Sequence, residues 1–123
     1  MKYRALAAVF LFIACAAASA APDAVARREI DGLMQALEHS GCRFQRNGSW
    51  YDASAARNHL QYKYDYLLKR DMVNTAEQFI DRAASSSSMS GKPYRVSCPN
   101  LAEQDAAPWF RQQLARLRGQ AGA

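Results

Sequence analysis

Long apolar runs are scarce in this 123-residue chain. The one at residues 5–14 is too short to span a bilayer, and no later stretch approaches that length. The sequence therefore predicts no transmembrane segment in the mature protein. Histidine is almost missing: His39 and His59 are the two present, and they show no ligand spacing, so no metal site and no cofactor are expected. Blocks of like charge are missing as well. Sixteen Lys and Arg face eleven Asp and Glu, a net of +5, with acids scattered among the bases. That balance favours solubility and argues against nucleic acid as a partner. There is no internal repeat and no strained nucleophile turn of the kind that announces a hydrolase.

The first twenty residues read as a secretory signal peptide. Lys2 and Arg4 give a positive start, an apolar run follows, and Ala18-Ser19-Ala20 supplies an A-x-A cleavage site. Residues 21–118 are then expected to form a single domain, with residues 119–123 as a disordered tail. Phe12-Ile13-Ala14-Cys15 has the outline of a lipoprotein site, and lipidation at Cys15 is the lesser alternative. Removing the leader leaves Cys42 and Cys98 in an oxidising compartment, where an even number of cysteines predicts a disulfide.

Periodicity supplies the elements. Ala26, Ile30, Leu33, Met34 and Leu37 make one face of a helix over residues 23–39, with Gly41 placed for a positive-φ cap. Cys42 and Phe44 alternate into Asn47-Gly48, a type I′ hairpin signal, and Ser49, Trp50 and Tyr51 return. Asp52 or Ser54 caps a second helix to about Lys69, striped by Ala56, Leu60, Tyr64 and Leu67. Lys63 falls on that apolar stripe and is expected to pair with Glu77 or Asp81 of the next helix. Thr75 and Gln78 form a capping box for that helix, whose stripe is Ala76, Phe79, Ile80 and Ala83. Tyr94, Val96 and Cys98 alternate as a strand beside the one carrying Cys42, with Phe44, Tyr94 and Val96 expected to face the core. A last helix is predicted from Pro108, with Phe110, Leu114 and Leu117 inward. The fold class is α+β: about four helices with a small antiparallel sheet.

Four serines, Ser85 to Ser88, then Met89 and Ser90-Gly91-Lys92-Pro93-Tyr94 link the third helix to the strand. This stretch can bury little, and Gly91 and Pro93 shape its exit. It is the expected binding loop, with Ser88, Ser90, Lys92 and Tyr94 as candidate contacts. Cys42, Cys98, Lys63 and Glu77 are the candidate structural residues. No catalytic residue is assigned.

Arg46-Asn47-Gly48, His59-Leu60 with Lys63, residues 75–81, Ser85 to Ser88 and Gly91-Lys92-Pro93-Tyr94 together resemble the YfeK-like family of small bacterial envelope proteins. The resemblance covers most of the mature chain. It implies a bacterial periplasmic protein and implies no activity. Within it, Ser90-Gly91-Lys92-Pro93-Tyr94 is similar to the S-G-x-x-Y loop of bacterial lysozyme inhibitors, which suggests one alternative function. A small periplasmic hydrolase using His59 and a serine is the other. The principal expectation is a non-catalytic envelope protein that offers the serine loop to a periplasmic protein or a cell-wall glycan.

Overall fold

The computed structural model describes residue 5, residues 7–12 and residues 21–121. The expected cleavage site at Ala18-Ser19-Ala20 and Cys15 lie outside the described residues. Four helices and a four-stranded antiparallel sheet make a small α+β domain.

Helix α1, Ala24–Glu38, starts where Asp23 accepts a hydrogen bond from the Ala26 amide at 2.8 Å. Helix α2, Ala53–Lys69, starts the same way, with Asp52 accepting from Ala55 at 2.7 Å. Each such cap is worth about 1 kcal/mol. Between the helices lies the hairpin of β1, Arg43–Arg46, and β2, Ser49–Tyr51. Its turn residues Asn47 and Gly48 have φ of 50° and 82°, as a type I′ turn requires.

Helix α3, Ala76–Phe79, is capped by Thr75, whose hydroxyl accepts from the Gln78 amide at 3.1 Å. The Gln78 side chain reaches back one residue further than a capping box would, accepting from Asn74 N at 2.8 Å. The helix then widens into a π turn over Ile80–Ala84. Residues Ala76, Phe79, Ile80 and Ala83 are buried as their spacing predicts, and the wider turn keeps Ala84 buried beside Ala83. Ser85 ends it by donating its hydroxyl to the Ile80 carbonyl at 2.6 Å. Such widened turns free backbone groups that a side chain must satisfy.

Strand β3, Arg95–Ser97, pairs with β1, and β4, Gln104–Asp105, pairs with β3, giving the order β2-β1-β3-β4. Arg43 lies opposite Ser97 and Phe44 opposite Val96. One step further along the same register sets Cys42 against Cys98, and the two form a disulfide. Phe44, Val96 and Tyr94 face a core built from all four helices.

Helix α4, Ala106–Ala121, departs from expectation at both ends. It begins two residues before Pro108, which therefore occupies the first turn, where its missing N–H is not needed. It also continues through Gly119 and Gln120, so the expected tail is helical as far as Ala121. Trp109, absent from the predicted inward face, is buried and meets Phe110 edge-on at 5.0 Å between ring centroids. Gly32 in α1 allows α4 to approach: a Cβ there would stand 3.0 Å from Leu117 Cδ1. Among the described residues, no helix is long and apolar enough to cross a membrane.

Candidate functional site

The serine stretch folds as a tied hairpin-like loop and not as a loose strap. Its arms are joined by Ser87 N to Lys92 O at 3.0 Å, Gly91 N to Ser87 O at 2.9 Å and Tyr94 N to Ser85 O at 2.9 Å. Gly91 closes it at φ 72°. A second set of bonds fastens the loop to the β1–β2 turn. Asn47 Nδ2 donates to Ser87 Oγ at 3.2 Å, and Ser90 Oγ donates to Asn47 Oδ1 at 2.6 Å. Asn47 thus does two jobs: its backbone makes the turn and its amide clamps the loop. Ser87 is buried, whereas Ser88, Ser90 and Lys92 are exposed and Met89 is 98% exposed at the tip.

Tyr94 is not a surface contact. It is 1% exposed, and its ring packs on Phe44 at 5.0 Å between centroids. Only its hydroxyl approaches the site, where it is shared by two nitrogens. Lys63 Nζ donates to it at 3.0 Å, and His59 Nε2 lies 3.2 Å away. The neutral His59 ring accepts the phenol proton at Nε2 in one tautomer and donates to the phenol oxygen in the other.

Lys63 corrects the expected ion pair. It is 9% exposed, and besides Tyr94 it donates to the Ser86 carbonyl at 2.9 Å. Glu77 and Asp81 are taken by α4 instead, Glu77 by Arg118 and Asp81 by Arg111 at 3.0 Å. Arg118 also holds Glu29 at 2.8 Å, so one guanidinium links α1, α3 and α4. Glu77 keeps its structural role, through Arg118. Its carboxyl is held below the usual range by a backbone hydrogen bond first and by the Arg118 hydrogen bond second.

The electrostatics around Lys63 follow from burial among positive charges. Desolvation, then Arg46, lowers its pKa from 10.5 to about 8. Desolvation, Arg46 and Lys63 lower His59 to about 4, so the imidazole is neutral at pH 7. Burial raises the Tyr94 phenol, opposed by Arg46. Arg46 itself lies over the Tyr51 ring, 4.8 Å from its centroid.

These groups line a cleft of about 410 Å³ between the serine loop, the β1–β2 hairpin and α2. Ser87, Ser88 and Met89 form one wall, and Arg46, Asn47 and Tyr51 another; His59, Tyr62 and Lys63 come from α2, with Tyr94 beside them. Of the predicted contacts, Ser88 and Tyr94 line this cleft, while Ser90 serves as a brace and Lys92 is exposed outside the lining. Arg46, Asn47 and Ser87 were not chosen from sequence. The signal for Asn47 was hidden because the hairpin turn already accounted for it.

A family model described as a family of unknown function (DUF5329) matches residues 24–118. The chain belongs to that family. The match starts at the first residue of α1 and takes in the sheet, the serine loop and most of α4. The uncharacterised protein YfeK of Salmonella typhimurium is 42% identical over 66 residues, 53% of this chain and 53% of that protein. The chain thus aligns with about half the length of that relative. No solved structure matches.

The clamp makes a separable prediction for the family fold. Asn47→Gly keeps the positive φ the turn needs but removes the side-chain amide. The hairpin and disulfide should persist while the Ser87 and Gly91 amides exchange roughly tenfold faster, the loss of about one hydrogen bond. Unchanged protection at these amides would refute the clamp.

Proposed function

We propose that the protein is a non-catalytic binding protein of the bacterial envelope that receives its partner in the cleft between the serine loop and α2. The cleft itself carries the reading: an ordered loop, exposed at Met89 and Ser88, stands over a concave, partly aromatic floor of a size typical of ligand sites, about 300–1,000 Å³. The Cys42–Cys98 disulfide supports residence in the periplasm. The partner is a periplasmic protein or a wall glycan.

A non-catalytic role is supported by the way His59 is used. Its Nε2 faces the Tyr94 hydroxyl, and the buried cleft serine, Ser87, bonds with Asn47 and the Ser90 amide. Nucleophilic catalysis would need a serine within reach of the base.

A photo-crosslinking residue at Met89 tests the reading. In expressing cells it should capture a discrete partner, whereas the same residue at Arg28, exposed on α1, should not. Equal capture at both positions, or none at Met89, would overturn it.

A further inference from the structure

A second, smaller cleft of about 220 Å³ adjoins the first and shares Tyr62, Lys63 and Ser88 with it. The two make one groove along the seam between α2 and the serine loop. Its charges are all of one sign. Arg46, Lys63 and Arg82 line it, and among the described residues no Asp or Glu does. Lys63 is the informative one. A buried ammonium normally sits beside a carboxylate, yet here its two partners are a carbonyl and a phenol, both neutral. One of its three protons remains for a further acceptor. Arg46 is held over the Tyr51 ring, which orients the guanidinium without neutralising it.

Around these cations the lining is suited to sugar. Tyr62, 71% exposed on α2, can take the apolar face of a pyranose ring, whereas the Tyr66 ring one turn on is already covered on one face by Arg70 at 3.5 Å. Asn47, Ser49 and Ser88 offer neutral donors and acceptors for hydroxyl and amide groups.

We infer that the groove binds an acidic oligosaccharide, with a sugar carboxylate between Arg46 and Lys63 and neighbouring rings against Tyr62. This rests on the binding reading above and names the ligand for that site. Arg46 is the specificity residue, since a guanidinium can hold a carboxylate through two parallel hydrogen bonds. The charged form of Lys63 exists below about pH 8, so carboxylate binding weakens as pH rises through that value. The other titratable or charged groups lining the groove with Lys63 are Arg46 from β1, Tyr51 from β2, His59, Tyr62 and Tyr66 on α2, Arg82 from the π turn, and Tyr94 before β3. His59, lowered to about 4, stays neutral throughout that range.

Two tetrasaccharides test this on the intact chain. One alternates N-acetylglucosamine with N-acetylmuramic acid, whose lactyl ethers carry carboxylates; the other is chitotetraose, its neutral counterpart. Calorimetry at pH 7 should show the acidic sugar binding at least about tenfold tighter, the worth of one charge-assisted contact. Arg46→Gln should weaken the acidic sugar several-fold, down to the smaller preference that Lys63 alone supports, and leave chitotetraose unaffected. The wild-type preference should shrink between pH 7 and 9, and in Arg46→Gln any residual fall should move to higher pH, because Arg46 lowers the Lys63 pKa. Equal affinity for both sugars overturns the inference. If neither sugar binds while Met89 still crosslinks a protein, the acidic-glycan assignment is wrong and the binding reading stands. Loss of both results overturns both.

Discussion

Replacing Cys42 and Cys98 together by serine should lower stability by about 4 kcal/mol and leave the protein largely unfolded at 37 °C. The bridge spans a sequence separation of 56. In the chain-entropy description, releasing that closure returns freedom to the unfolded chain and costs the native state nothing directly. The register adds a native contribution. Cys42 is buried and belongs to the core cluster, and the bridge lies one residue beyond the Arg43–Ser97 pair of β1 and β3. With β3 only three residues long, the bridge is a main fastening of that strand pair. Denaturant unfolding of oxidised wild type and of the double serine variant measures the difference. A loss below about 1 kcal/mol would show that β1 and β3 hold together without it.

The parts of this fold legible in the sequence are those set by neighbours along the chain. Asp52, one of two candidate caps, announces the second helix because a cap acts over three residues, and the stripes of Ile30, Leu33 and Leu60 follow the helical repeat. Asn47-Gly48 announces the hairpin because positive φ is a local property. Strand β4 was invisible for the same reason in reverse: Gln104 and Asp105 are two polar residues with no alternation to read.

The candidate site was legible as a place and not as an arrangement. The position of Lys63 on an apolar stripe singled it out, yet neither its burial nor its partner could be read. Helical spacing offered Glu77 and Asp81, but which acid is available depends on α4, whose Arg118 and Arg111 claim them from far along the chain. The π turn then delivers the Ser86 carbonyl to Lys63, and no residue pattern in Ile80–Ala84 announces that widening. Tyr94 was given two roles, in the core through its alternation with Val96 and as a loop contact through its place after Pro93, and the core role holds. Its ring follows the strand into the core while its hydroxyl serves the cleft.

Tyr94→Phe should cost about 2 kcal/mol, although it keeps the ring and its packing on Phe44. The lost hydroxyl is the shared partner of a buried ammonium and a half-buried imidazole, so two polar groups lose a hydrogen bond at once. Lys63→Met should also destabilise, by freeing the Ser86 carbonyl and the same phenol, while removing a buried charge that opposes folding. The double variant should therefore be clearly less destabilised than the two singles added together, with a coupling of about 1 kcal/mol. Additivity within about 0.5 kcal/mol would mean that Lys63 and Tyr94 act independently. The pH dependence supplies a second readout. His59 is lowered from 6.5 to about 4 on folding, so its contribution to stability is complete above 6.5 and is lost as pH falls through 4. Lys63 is one of the charges that lower it. In Lys63→Met the His59 midpoint, followed by NMR of its ring protons, should rise toward 6.5, and the acid loss of stability should become smaller and finish at higher pH. A His59 midpoint that does not move would place the ammonium out of electrostatic contact with the imidazole and dissolve the Lys63–Tyr94–His59 unit.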